Sequence, residues 1–121
     1  MMLLARRVSL LVAFYVFTSA ATAHAECAWV LWEENTISRP RQAAWIKWTL
    51  HAARQTRADC EAVLDVAWKG AVKLVEMQPR VTVHWSAPGW FAAAFKNEDG
   101  TFAGSEEHRF RCFPDTVDPR K

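Results

Sequence analysis

The sequence predicts an α+β fold of two layers: an antiparallel sheet of four to five strands with one long helix packed on one face. Apolar residues recur every three or four positions along a single long stretch of the chain. Elsewhere they alternate with polar residues in several short runs, which turn-forming residues separate. One helix and a few strands in a short chain pack as two layers around a single core.

The N-terminal 25 residues are typical of a secretory signal peptide. Arg6 and Arg7 form a basic start, an uncharged run follows, and Ala23-His24-Ala25 matches a cleavage site. We therefore expect residues 1–25 to be cleaved and residues 26–121 to form one small α+β domain, exported to the periplasm or outside the cell. Retention as an anchor stays open, although the uncharged run is shorter than the roughly 20 residues that span a bilayer.

Cleavage after Ala25 also bears on the first cysteine and on the net charge. A lipoprotein cysteine follows a small residue, whereas Glu26 precedes Cys27, so we expect no lipid and no stable membrane insertion.

The chain has 15 basic and 13 acidic residues. Arg6 and Arg7 leave with the signal, which makes 13 of each and a formal net charge of zero. Nothing electrostatic then favours a nucleic acid or an anionic membrane as partner.

The first strand is predicted at Cys27–Trp32, where large apolar residues follow one another as in a strand covered on both faces. The polar segment 35–41 contains a proline and predicts a loop. In the second strand, at about residues 44–51, apolar and polar side chains alternate.

The helix is predicted over about residues 57–77. Thr56 is its expected N-cap, because Asp59 follows at the spacing of a capping box, and Pro79 ends it. The expected buried stripe repeats at steps of three and four and consists of Cys60, Leu64, Ala67, Ala71 and Leu74.

The remainder of the chain alternates strands with turns. The turn chemistry lies in Ala87-Pro88-Gly89 and in Asn97-Glu98-Asp99-Gly100. The strands are predicted at about 81–86, 90–95, 101–103 and 108–113.

Three cysteines in an exported chain predict one disulfide and one remaining thiol. We favour Cys60 with Cys112, which would tie the start of the helix to the last strand; a bridge between Cys27 and Cys112 is the alternative. No Cys-x-x-Cys spacing occurs, so zinc-finger and redox motifs have no support.

Histidines and tryptophans supply the remaining candidates. His51, His84 and His108 have no metal-ligand spacing, so we expect isolated surface histidines and no metal. Seven tryptophans in so short a chain either fill the core or form an exposed aromatic patch. The segment "HWSAPGW" is the candidate binding surface, because its turn brings His84, Trp85 and Trp90 to one end of the sheet.

Three segments, "ECAWVLW", "TRADCEA" and "CFPDTVDPR", resemble a family of small uncharacterised bacterial exported proteins with a Cys-x-Pro-Asp-Thr-Val-Asp-Pro-Arg ending. The resemblance implies export and three cysteines, and it implies no activity and no cofactor. We expect a non-enzymatic module that binds a protein or a glycan of the cell envelope through aromatic surface. The alternatives are a thiol enzyme centred on Cys60, a histidine-dependent hydrolase, and a small inhibitor of a secreted enzyme.

Overall fold

A computed structural model describes residues 28–121. The predicted signal peptide, its cleavage site and the predictions for Cys27 therefore lie outside the described residues. The elements are β1 (Trp29–Ser38), β2 (Trp45–Arg54), α1 (Arg57–Glu76), β3 (Val81–Ala87), β4 (Trp90–Lys96) and β5 (Phe102–Pro114).

The five strands form one antiparallel sheet in the order β2-β1-β5-β4-β3, and α1 packs on one face of it. The α+β prediction is confirmed. The central strand is β5, with β1 and β4 on either side, so the first and last strands of the described chain pair with each other along ten residues. We call the two sides of the sheet the helix face and the open face.

The core lies between α1 and the middle strands. Its buried residues are Leu31, Cys60, Phe91 and Phe110, with partly buried residues of α1 packed around them. The predicted stripe of α1 is wrong at its last member, because Leu74 is 66% exposed and Val75 packs on the core instead. A step of four from Ala71 keeps Val75 on the buried side of the helix.

The strand β1 is longer than predicted. Its polar residues 35–38, assigned to a loop by their composition, continue the strand, and only the chain beyond them leaves the sheet. Thr36 and Ile37 are good strand formers, and their backbone pairs with β2 on one side and β5 on the other. Two hydrogen-bonded neighbours satisfy the backbone groups here, which sequence composition alone does not reveal.

The strand β5 is continuous. The predicted strands at 101–103 and 108–113 are its two ends, and the acidic pair Glu106-Glu107 runs through the middle of the sheet. Successive side chains point to opposite faces, so Glu106 belongs to the helix face and Glu107 to the open face.

The C-terminal segment folds back on the open face. The backbone N–H of Asp115 donates to the carbonyl of Ala28, and the Arg120 guanidinium lies 5.1 Å from the centre of the Trp32 ring. Hydrogen bonds from the side chain and backbone of Arg120 hold the pKa of Asp118 well below its usual range. In the part of the chain that the structure describes, the helix does not combine the length and hydropathy needed to cross a membrane.

Candidate functional site

The structure contains a disulfide between Cys60 and Cys112, the favoured of the two predicted pairings. Cys112 is therefore not available to Cys27. Cys60 is fully buried beneath the start of α1 and has no free thiol. A thiol enzyme centred on Cys60 would need a free thiolate, which a sulfur in a disulfide does not provide.

Two of the three histidines meet on the helix face instead of standing alone. His108 Nδ1 lies 2.7 Å from Glu33 Oε2, and His108 Nε2 lies 3.3 Å from Glu106 Oε2. His51 Nε2 lies 2.9 Å from the other oxygen of Glu33. The prediction of isolated surface histidines is therefore wrong for His51 and His108. We call these four residues the His–Glu network.

The sheet itself assembles this network. Glu33, Glu106 and His108 lie on the helix face of β1 and β5, and β2 carries an extra residue at His51, which brings that ring toward Glu33. The His108 ring stacks on Phe91, with centroids 4.7 Å apart and planes 5° from parallel. The network is thus part-buried at His108, between the sheet and an aromatic ring, and reaches solvent at His51.

Arg39 completes the charges around the network, with its Nη2 3.6 Å from Glu106 Oε1. Gly104 makes room for this contact. A Cβ at Gly104 would lie 2.6 Å from the carbonyl oxygen of Ser38 and 2.7 Å from Arg39 Nη1, closer than real Cβ contacts come. The backbone at Gly104, with φ at +147°, is one that other residues rarely adopt.

The carboxylates keep His108 protonated. Burial by itself lowers the pKa of His108, but hydrogen bonds to Glu106 and Glu33, together with both carboxylate charges, raise it to about 9. Burial alone would raise the pKa of Glu33. The hydrogen bonds from His108 and His51 outweigh the effect of burial, so the pKa of Glu33 is lowered. The hydrogen bond from His108 likewise lowers the pKa of Glu106. Both ring nitrogens of His108 then donate protons, so this ring has no lone pair to act as a general base at neutral pH.

Metal-ligand geometry is absent from residues 28–121, where no three His, Cys, Asp or Glu side chains are placed to hold an ion. His84 lies away from the other two histidines, exposed on the bulged strand β3. The predicted binding residues lie on the open face of the sheet.

A groove of about 350 Å³ crosses the open face above β1, β5, β4 and β3. It is lined by Thr36, Ser38, His84, Trp85, Ala92, Ala94, Phe102, Ser105 and Glu107, and it is also bordered by Ala93 and Glu106, whose side chains belong to the helix face. Two of the predicted binding residues, His84 and Trp85, thus line one cavity.

The strand pattern explains the shape of the groove. Ala92 and Ala94 place small side chains on the open face of β4, which leaves space above the sheet. The pairing of β3 with β4 shifts between Val83 and Trp85, and such a bulge changes the face to which the following side chain points. Trp85 therefore stands at the wall of the groove, 41% exposed.

Trp90, the third predicted residue, does not line the groove but supports its wall. Its ring lies edge-on to that of Trp85, with centroids 4.7 Å apart. Trp90 Nε1 donates to Glu107 Oε1 at 2.7 Å, and the guanidinium of Arg109 lies 3.9 Å from the centre of the ring. Trp90 is thereby fixed against both Trp85 and Glu107.

Sequence reasoning missed Glu33, Glu106 and the polar lining of the groove. Only the alternation along β1 and β5 could have placed Glu33 and Glu106 on one face with His108, and neither strand was predicted at full length. The tryptophans of "HWSAPGW" stand out by composition and lie in one short segment, so the sequence alone could place Trp85 and Trp90 close together.

Comparison of the chain with protein-family models, curated proteins and solved structures finds no match. The chemistry of the groove and of the His–Glu network is accordingly the basis on which a function can be proposed.

Proposed function

We propose that this protein is an exported binding module that holds a glycan segment of the cell envelope in the groove of its open face. The observation that carries the proposal is the composition of the groove wall and floor. An exposed indole, a phenyl ring and several hydroxyl groups converge on one open cavity. Sugars have the same two kinds of surface, C–H faces that pack on aromatic rings and hydroxyls that exchange hydrogen bonds.

The lining offers polar partners at the floor and apolar partners at the walls. Thr36, Ser38 and Ser105 present hydroxyls that can donate and accept. Trp85 and Phe102 are both exposed apolar residues at the groove. A ligand that carries hydroxyl groups on an apolar ring satisfies both sets at once.

The wall is also held in place before any ligand arrives. Trp85 packs on Trp90, which is fixed by its hydrogen bond to Glu107 and by Arg109. A side chain that is already ordered loses little conformational freedom on binding, which favours affinity. Export to the envelope is supported by the predicted signal peptide and by the disulfide.

Replacing Trp85 should weaken glycan binding, because its indole is an exposed aromatic ring that lines the groove. We expect Trp85→Ala to raise the Kd for soluble N-acetylglucosamine oligosaccharides about fivefold or more, since an aromatic contact contributes on the order of 1 kcal/mol. Isothermal titration calorimetry of the exported chain measures this Kd.

Leu74→Ala is the control, because Leu74 is an exposed apolar residue of α1, 66% exposed, that does not line the groove. Ala94→Met provides a second variant that fills the floor and should abolish binding while thermal unfolding shows an intact fold. Equal losses from Trp85→Ala and Leu74→Ala, or no binding of the oligosaccharides by the wild-type chain, would contradict the proposal.

A further inference from the structure

The edge strand β2 exposes large apolar side chains to solvent. Ile46 is 55% exposed and Leu50 is 56% exposed, and Trp45 is exposed beside them. These residues lie on the outermost strand of the sheet, whose only strand neighbour among residues 28–121 is β1. A long edge strand with exposed apolar residues is a template for pairing with another strand.

The register of β2 against β1 places its apolar residues on one face. Ile46 lies opposite Thr36, Trp48 opposite Glu34 and Leu50 opposite Trp32, so all three point to the open face. This row is symmetric about Trp48, with one large aliphatic residue two positions before it and one two positions after it.

This symmetry makes the segment complementary to itself when it is reversed. In an antiparallel pair centred on Trp48, Ile46 of one chain lies opposite Leu50 of the second copy, and the two Trp48 side chains lie opposite each other. Lys47, the only charged residue of segment 45–50, lies opposite the uncharged Thr49. The row of apolar pairs is therefore formed without a like-charge pair, which would oppose association.

The other edge of the sheet lacks these features. The strand β3 has seven residues, and its pairing with β4 is interrupted between Val83 and Trp85. Bulges of this kind protect an edge from further pairing. In β2 the irregularity is confined to His51, beyond the symmetric segment.

We propose that two copies of this chain pair through segment 45–50 of β2, antiparallel about Trp48, and so form a continuous ten-stranded sheet with both grooves on one face. Such a contact is isologous, since the same segment is used by both copies, and it closes at two subunits. It joins the open faces into a single surface that could hold two segments of one extended ligand.

Sedimentation-velocity measurements on the exported chain test the association, and we expect a dimer. Leu50→Lys should raise the dimer dissociation constant about a hundredfold, because symmetry introduces the charge twice into each interface. Leu74→Lys is the matched control, since Leu74 is an exposed leucine on α1. It should leave the dimer unchanged.

Cross-linking tests the register, in a background with Cys27→Ser. Ile46→Cys and Leu50→Cys combined in one chain should yield a covalent dimer, because directly opposite residues come within disulfide reach. Each single variant should stay uncross-linked, because equivalent cysteines would be about 13 Å apart along the strands. A monomer at the highest soluble concentration, a dimer insensitive to Leu50→Lys, or cross-linking by the single variants would each overturn the proposal.

Discussion

At the scale of single residues, His108 is coupled electrostatically to two carboxylates. Its ring is held between Glu33 and Glu106 and stacked on Phe91, and only 12% of the side chain is exposed. The two carboxylates favour the charged ring, and the charged ring favours the ionised carboxylates. The network therefore links β1 and β5 by charge as well as by their backbone hydrogen bonds.

This coupling makes the free energy of unfolding depend on pH with opposite signs at the two ends of the range. The pKa of His108 is raised from 6.5 to about 9 in the folded protein, so its contribution is complete below about pH 6.5 and is lost as the pH rises through 9. Glu33 and Glu106 have lowered pKa values, so their contributions are present above about pH 4.5 and are lost as the pH falls below that. We expect the network to contribute most between these limits.

Urea unfolding at a series of pH values measures the effect. Between pH 6.5 and 9 the wild-type free energy of unfolding should fall by on the order of 2–3 kcal/mol. His108→Gln keeps two hydrogen-bonding groups but cannot be charged, so this fall should disappear. The same fall in both proteins would show that other groups cause it.

At the scale of elements, the helix α1 depends on its first turn. Thr56 Oγ1 accepts a hydrogen bond from the backbone N–H of Asp59 at 3.1 Å, as the predicted capping spacing requires. Thr56→Ala should lower the free energy of unfolding by about 1 kcal/mol, because it leaves that N–H without its cap. Thr56→Ser keeps the hydroxyl and should lose much less, and urea unfolding at constant pH compares the two. Equal losses would point to the Thr56 methyl group instead.

The bounds of the helix can be predicted from the sequence better than those of the strands, because the helix depends on local signals and the strands depend on pairing. The bounds of α1 follow from local signals, a cap and a proline, and the structure ends the helix one residue before the prediction. The strands β1 and β5 extend past their apolar segments because their polar residues have a strand on each side. That pairing joins residues far apart in the sequence, so no local pattern reveals it. The His–Glu network was missed for the same reason, whereas His84 and Trp85 lie in one short segment.

At the scale of the whole molecule, the disulfide joins α1 to the sheet across 52 positions of sequence. A small domain gains much of its stability from such a link, which restricts the unfolded chain. Replacing both Cys60 and Cys112 by alanine should lower the free energy of unfolding by roughly 3–4 kcal/mol in the chain-entropy model.

Thermal and urea unfolding of the double variant measure this loss. Cys27→Ser is the control, because Cys27 is not part of the disulfide. A double variant as stable as the wild-type chain would show that packing alone fixes α1 on the sheet. We expect instead that reduction of the wild-type protein reproduces most of the loss.

The position of β5 in the middle of the sheet has a consequence for how the chain folds. The hairpin of β3 and β4 can form early, and so can the pair of β1 and β2, but no strand pairs with both of them until β5 lies between them. Contacts between distant parts of a chain form slowly, because a long loop must close first. The five-stranded sheet can therefore form only after residues 102–114 are available to pair with both neighbours.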